Sequence, residues 1–300
     1  MGYDLTFATA LVAVSGSLGI IIPPSIPYIM YCNASGASIS ELFLAGFLPG
    51  VLIALCLMVY SYIYCKIHGE DKDKLNAKCM ELRAKGLGTV LKEGFWALMS
   101  PVIILGGIYG GICSPTEAAT ISIFYSLIVS LFIYRTIKIR DLPKIMLEGI
   151  HSYAPILIIL SAAVAFARVI TLMNVATIVS EAVLSAISSK VVILLLINVL
   201  LLFVGMIMDT GPAILVFTPV LLPVAEAIGV DPIHFGIIMC VNLAIGFVTP
   251  PMGANLFVAS NLSKVSVFDI ARKAVPFILA FLIALLLITF VPQISMFLLQ

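Results

Sequence analysis

Long apolar runs constrain this chain more than any other feature. The run from Pro276 to Leu299, for example, contains no charged residue. A helix crosses a hydrocarbon core of about 30 Å in about 20 residues, so runs of this length are typical of membrane-spanning helices. Hydrophobic residues make up 62% of the 300 positions and charged residues 10%, which excludes a water-soluble globular protein. The short alternating segments of a membrane β-barrel are absent, and the sequence therefore predicts an all-α integral membrane protein.

The apolar runs differ in whether they are continuous. Continuous spans are predicted over 41–64, 95–112, 118–134, 151–173 and 276–299. Two further segments, 5–31 and 231–258, are apolar but interrupted. Segment 191–228 has two short arms joined by "MDTGPA", which indicates a re-entrant hairpin or two short spans. Spacing of apolar residues in the polar stretch 66–93 favours a cytoplasmic amphipathic connector.

The interruption at "GSLGIIIPPSIPYIMY" places Pro23 and Pro24 where a helix should be continuous. Each proline removes a backbone donor and clashes with the carbonyl four residues earlier, so the pair is expected to break the helix within the membrane. The same interruption recurs at "GFVTPPMG", because Pro250 lies 227 positions after Pro23. Six further pairs match at that offset without a gap, namely Gly2 and Gly229, Asp4 and Asp231, Val14 and Val241, Gly19 and Gly246, Pro24 and Pro251, and Pro49 and Pro276. The sequence therefore predicts an internal repeat.

Positive charge predicts how the two copies are oriented. No Lys or Arg precedes Lys66, so the link "CNASGASISE" of the first copy has no positive charge. The equivalent link of the second copy, "NLSKVSVFDIARK", has three basic residues. The positive-inside rule places the first link outside and the second inside, which makes the repeat inverted. Counting spans from the basic loops at 66–92 and 135–144 agrees and places the C-terminus outside.

Inverted repeats with broken helices are typical of secondary transporters, because broken backbone persists at membrane depth only where it lines a site. Half-helix N-termini suit an anionic substrate, and freed carbonyls suit Na⁺. The candidates in the second interruption are Asn242, Gly246, Thr249, Met252 through its carbonyl, Gly253 and Asn255. The candidates in the first are Ser15, Ser17, Gly19, Ile22 through its carbonyl, and Ser25. Any single one could instead bond to a neighbouring helix, but the two regions together favour a site.

Three stretches carry a resemblance to a known family: "GYDLTFATALVAVSGSLGIIIPPSIPYIMY", "ILGGIYGGICSPTEAATISIFY" and "MDTGPAILVFTPVLLPVAEAIGVDPIHFGIIMCVNLAIGFVTPPMGANLF". They resemble the large membrane subunit of tripartite ATP-independent periplasmic (TRAP) transporters over nearly the whole chain. The resemblance implies an elevator-type, Na⁺-driven carrier of the ion transporter superfamily in the bacterial inner membrane. It also implies a small TRAP membrane subunit and a periplasmic substrate-binding protein as partners, and a small organic acid, such as a dicarboxylate or a sialic-acid-like compound, as substrate.

The family's sodium sites lie between hairpin tips and broken helices, so the resemblance carries over onto the Gly246, Thr249 and Met252 stretch and onto the hairpin at Asp209 to Pro212. Asp209 could equally cap the second arm of that hairpin. The expected sodium ligands are Gly246, Thr249, Met252, Asp209, Thr210, Gly211, Ser15, Ser17, Gly19 and Ile22. The expected substrate contacts are Ser25, Asn242, Gly253, Asn255 and Pro212. Na⁺ is the one cofactor expected.

The first repeat is incomplete against the family pattern, since residues 95–228 have no counterpart before Gly2. A fragment, a split gene or a mis-assigned start would each explain this, and a start within the motif favours truncation. The expected organisation is a partial first transport repeat (1–65), the connector (66–93), scaffold helices (94–172), an arm helix (173–189) and a second transport repeat (190–300).

Other classes of protein are disfavoured. The three histidines lack H-E-x-x-H spacing and no P-loop is present, so neither a membrane enzyme nor an ATPase is expected. The six cysteines occur singly and form no metal or redox motif. A net charge of +1 gives no reason to expect a nucleic-acid partner. A channel, or a stand-alone carrier of the same superfamily, remains as an alternative.

Overall fold

A computed structural model describes residues 3–69, 76, 80 and 86–299. Within these ranges seven helices are long and apolar enough to cross a membrane. The chain is thus helical throughout its described spans, as the sequence predicts. The main helices are α1 (Leu5–Gly16), α2 (Ile26–Ser35), α3 (Ile39–His68), α4 (Leu87–Tyr109), α5 (Pro115–Ile128), α6 (Leu142–Leu172), α7 (Val175–Ala186), α8 (Lys190–Ile207), α9 (Thr210–Ala227), α10 (Pro232–Gly246), α11 (Ala254–Ser263), α12 (Val267–Phe290) and α13 (Gln293–Met296).

The chain divides into two compact units. One comprises the described part of residues 71–161, and the other comprises the described parts of 3–70 and 162–300. Half of the predicted connector at 66–93 lies outside the described residues. The predicted functional domains stay predictions, since the division into units does not test them.

The first unit is built on the pairing of α4 with α5. The turn into α5 is a capping box, in which the Ser114 hydroxyl accepts from the Glu117 backbone N–H and the Glu117 carboxylate accepts from the Ser114 N–H at 2.8 Å. Two tyrosine hydroxyls, of Tyr125 and Tyr134, donate to α4 carbonyls at 2.7 and 2.6 Å. Glu117 therefore stabilises a helix N-terminus, where its charge also complements the helix dipole.

The second unit contains both interrupted helices. An Asp begins each one as N-cap, Asp4 for α1 and Asp231 for α10. The α-helical hydrogen bonding of each stops before a Pro–Pro peptide, and both of these peptides are cis. A ten-residue helix follows each break, and a long helix follows that. The predicted order of helix, break and helix is thus present in both segments.

The register of the two segments shifts at the break. Leu5 and Pro232, which begin α1 and α10, are 227 positions apart, but Ile26 and Ala254, which begin α2 and α11, are 228 apart. Gly36 ends α2 and Lys264 ends α11, both in the left-handed backbone conformation, and these two residues are also 228 positions apart. The gap-free alignment of the two copies is therefore wrong after the break. The second break is one residue longer, and an irregular loop accommodates an insertion more easily than a packed helix does.

The core of the second unit surrounds α10. Nearly every residue of α10 is buried, whereas several residues of the first helix, α1, are exposed. The last long helix, α12, begins at Val267 rather than at Pro276, and Pro276 lies within it. The predicted start was too late because the charged residues Asp269, Arg272 and Lys273 occupy the first turns of the helix. Lys273 contacts Asp4 at 3.5 Å and donates to the Tyr64 hydroxyl at 3.2 Å, so its charge is paired.

Candidate ion and substrate site

One cleft forms where the tip of the α8–α9 hairpin meets the break between α10 and α11. Its lining residues are Gly205, Met208, Asp209, Thr210, Leu243, Gly246, Phe247, Met252 and Ala254. Four of these were predicted as sodium ligands from sequence: Asp209, Thr210, Gly246 and Met252. Residues more than 35 positions apart in the sequence thus meet at one place.

The hairpin tip is a turn of two residues, Met208 and Asp209, between two 18-residue helices. Asp209 caps α9, since its carboxylate accepts the Thr210 backbone N–H at 2.9 Å. Asp209 also lines the cleft and is an exposed residue. A backbone hydrogen bond joins the break to the hairpin, since the Met252 N–H donates to the Met206 carbonyl at 3.2 Å.

Two glycines bring the hairpin and the broken helix into backbone contact. A Cβ at Gly246 would lie 2.8 Å from Gly205 Cα and would clash with the Gly205 carbonyl. A Cβ at Gly205 would lie 3.3 Å from both the Cα and the carbonyl oxygen of Leu243. Small residues allow membrane helices to approach closely in this way, and here the close approach forms one wall of the cleft.

Four helix ends converge on the cleft. The C-terminal end of α8 contributes Met208, and that of α10 contributes Gly246 and Phe247. The N-terminal ends of α9 and α11 contribute Thr210 and Ala254. Helix C-termini carry partial negative charge and helix N-termini partial positive charge. The cleft therefore lies beside helix ends of both signs.

Thr249 and Gly253 lie in the break but do not line the cleft. The Thr249 hydroxyl donates to the Ile245 carbonyl at 2.7 Å, within the last turn of α10. Gly253 is buried, with a φ of +38° that favours glycine, and it begins α11 without a side-chain cap. On the hairpin, Gly211 packs against Met30 of α2, and Pro212 lies in the first turn of α9.

The two predicted asparagines lie away from the cleft. Asn242 is fully buried, and its amide nitrogen donates to the Asn198 side chain and to the Ile238 carbonyl. The Asn255 side chain instead points to α1, donating to the Ala13 carbonyl at 3.1 Å and to the Ser17 hydroxyl at 3.4 Å. Asn255 thereby ties the second break to the end of α1.

The predicted residues of the first break do not line this cleft. Ser25 is the N-cap of α2, and its hydroxyl donates to the Ile20 carbonyl. Ile22 packs against Gly50 of α3. Ser17 is buried, whereas Ser15 is half-buried and Gly19 is exposed. The roles predicted for these residues stay predictions.

Sequence reasoning missed Asn198, Gly205 and Met208. Asn198 is the one polar side chain between Lys190 and Asp209, which is a signal that could have identified it, since polar groups inside a membrane span are costly without a partner. Gly205 and Met208 carry no comparable signal, because glycine and methionine are common in membrane helices.

Comparison with known proteins identifies the family. A family model described as "Tripartite ATP-independent periplasmic transporter, DctM component" matches residues 1–294. The chain belongs to this TRAP transporter family. This confirms the resemblance drawn from the proline-pair and "SPTEA" motifs. It also agrees with the expectation of a transporter component rather than an enzyme.

Three curated relatives illustrate the family. The "Isethionate TRAP transporter permease protein DctMQ" of Oleidesulfovibrio alaskensis is 44% identical over 99% of this chain and 46% of its own length. The "C4-dicarboxylate TRAP transporter large permease protein DctM" of Pseudomonas aeruginosa is 38% identical over 98% of this chain and 68% of its own. The "Sialic acid TRAP transporter large permease protein SiaM" of Vibrio cholerae is 35% identical over 99% and 68%. This TRAP chain thus spans about half of the first relative and about two thirds of the others.

Proposed function

We propose that this chain is the permease part of a Na⁺-coupled TRAP transporter that imports small organic acids across the bacterial inner membrane. The cleft between hairpin and broken helix is the observation that carries the proposal. It is lined by residues from two helix C-termini and by Asp209, whose backbone and carboxylate oxygens are the ligand type that a hard cation takes. Sodium is the ion that secondary transporters hold at such broken helices.

The organic-acid substrate is proposed from the positive helix ends and from the relatives. The positive N-terminal end of α11 reaches the cleft at Ala254 without a side-chain cap, which favours a carboxylate or sulfonate there, while the next two amides, of Asn255 and Leu256, already donate to the Phe247 and Gly253 carbonyls. The three relatives are named for isethionate, C4-dicarboxylates and sialic acid, all of which are anions. We propose that substrate and Na⁺ bind on adjacent parts of this cleft.

The elevator mechanism and the inverted repeat belong to the same proposal. The first helix of each copy packs against the two later helices of the other: α1 contacts α11 and α12, and α10 contacts α2 and α3. A two-fold axis relating the copies produces reciprocal contacts of this kind. An axis in the membrane plane would orient the copies oppositely, as the charge of their links predicts.

Partners are proposed from the family. A small membrane subunit and a periplasmic binding protein would complete the carrier, and the fused name DctMQ of one relative supports the first. The lipid bilayer would contact the exposed apolar faces, such as those of α4 and α6, where side chains including Val102 and Ile158 are more than half exposed.

The test is uptake into liposomes containing the assembled carrier with this chain. Labelled isethionate, succinate and sialic acid are each supplied on a binding protein, with an inward gradient of either Na⁺ or K⁺. Saturable uptake of one acid that needs both Na⁺ and the binding protein is expected. Uptake without the binding protein would indicate a stand-alone carrier, non-saturable flux would indicate a channel, and equal uptake with K⁺ would refute sodium coupling.

A further inference from the structure

A pair of asparagines joins the hairpin to the broken helix inside the membrane-spanning core. Asn198 of α8 is 3% exposed and Asn242 of α10 is fully buried. The Asn242 amide nitrogen donates to Asn198 Oδ1, which also lies 3.4 Å from the Thr289 hydroxyl of α12. One side-chain oxygen thus connects three helices, and His234 of α10 also bonds to the Thr289 carbonyl of α12.

The pair lies on the same two helices as the glycine contact that walls the cleft. Asn198 precedes Gly205 by seven residues, about two helical turns, and Asn242 precedes Gly246 by four residues, about one turn. A glycine contact gives close approach but has no side chain to resist sliding along the helix axis. A hydrogen bond between two buried amides does resist sliding, because a slip breaks it and the surrounding apolar side chains offer no replacement, although the Asn242 amide nitrogen keeps its bond to the Ile238 carbonyl.

We propose that Asn198 and Asn242 are positioning residues that hold α8 in register on α10 and thereby place the backbone oxygens of the cleft. The proposal rests on the proposed function and deepens it, since it names what sets the geometry of the ion site. Sliding α8 by one residue would move its carbonyls by about 1.5 Å, whereas a functional site has to be held within about 0.5 Å. The amides themselves touch neither ion nor substrate.

A merely structural role makes a different prediction. Replacing one asparagine by leucine leaves the other amide buried with one hydrogen-bond partner fewer. This destabilises the protein whether the pair is only structural or also sets the register. Replacing both removes both polar groups, and leucine is close to asparagine in size, so the double variant is expected to recover stability. If the pair is only structural, Na⁺ binding recovers too. If the pair sets register, Na⁺ binding stays impaired.

The experiment compares wild type, N198L, N242L and the double variant in the assembled carrier. Thermal unfolding in choline chloride measures stability, and its shift on titration with NaCl at constant ionic strength gives the half-saturating Na⁺ concentration. The double variant is expected to unfold near the wild-type temperature yet to need at least about tenfold more Na⁺, since a misplacement of 1 Å can cost a site up to a hundredfold. A double variant with wild-type stability and wild-type Na⁺ requirement overturns the proposal.

Two further variants keep the test decisive. N242Q keeps the amide but adds one methylene, so it serves if the leucine variants do not fold: a raised Na⁺ requirement supports the proposal, and a wild-type value overturns it. T9V is the matched control, because Thr9 is buried and its hydroxyl donates to Leu5 of its own helix at 2.7 Å. Its Na⁺ requirement is expected to match wild type.

Wild-type protein that shows no Na⁺ response refutes the proposed function and this proposal together, whereas a normal wild-type response with an unaffected double variant refutes this proposal alone.

Discussion

Replacing Gly246 by alanine tests the backbone contact that walls the cleft. In an ordinary helix interior, alanine is more stable than glycine by about 0.8–1 kcal/mol. Here the added Cβ would lie 2.8 Å from Gly205 Cα and would clash with the Gly205 carbonyl. Backbone atoms on a packed helix cannot turn away as a flexible side chain can, so α8 and α10 have to separate. Overpacking of a core costs about 1–3 kcal/mol, and a backbone clash belongs at the upper end of that range.

The expected result is therefore opposite in sign to the helix-propensity effect. G246A is expected to lower the unfolding temperature by several degrees and to raise the half-saturating Na⁺ concentration about tenfold, because the separated helices displace the cleft carbonyls. G205A should have a smaller effect, since its Cβ would meet Leu243 at 3.3 Å, a contact that a slight shift relieves. Both quantities can be measured by thermal unfolding of the purified carrier, titrated with NaCl.

The control is G106A on α4. Gly106 is exposed, and a Cβ there would meet nothing within 4 Å. G106A should unfold at the wild-type temperature or slightly above it, with an unchanged Na⁺ requirement. The reasoning is refuted if G246A behaves like G106A, because the close contact between the two helices would then not exist in the membrane protein.

Three other predictions concern the break, the topology and the first unit. Thr249→Val keeps the side-chain shape but removes the hydroxyl, which the sequence assigns to sodium but which lies outside the cleft and donates to the Ile245 carbonyl. The sequence-based assignment predicts a rise in the half-saturating Na⁺ concentration of about five- to a hundredfold, equivalent to about 1–3 kcal/mol, whereas an unchanged Na⁺ requirement at normal expression would mean a structural hydroxyl. Cysteines placed singly at the exposed positions Ser38 and Lys264 in a cysteine-free background should react with an impermeant thiol reagent from outside only at 38, and equal labelling would contradict the inverted repeat. Ser114→Ala removes the N-cap of α5 and should destabilise the protein by about 1 kcal/mol, seen as a lower unfolding temperature, whereas no change would show that the capping box contributes nothing.

Local sequence signals predicted most of the helices and both breaks. A proline pair stops a helix wherever it occurs, and an Asp before an apolar run caps one, as Asp4 and Asp231 do. The turn between α8 and α9 was predicted for the same reason, since "MDTGPA" places turn and cap residues between two apolar arms, and whether the two arms re-enter or cross the membrane stays a prediction. The start of α12 was missed because charged residues occupy its first turns and because Pro276, its tenth residue, resembles a helix start in sequence.

Contacts between helices distant in sequence were decided only by the tertiary structure. Asn242 and Asn255 are equally plausible ligands in the sequence, yet one bonds to Asn198 on the hairpin and the other to the end of α1. The meeting of Gly205 with Gly246 has no local signal at all, because it depends on how two apolar helices pack side by side. Backbone sterics and capping act within a few residues and can be inferred from the chain itself, whereas the cleft depends on the register between helices, which forms only when they pack.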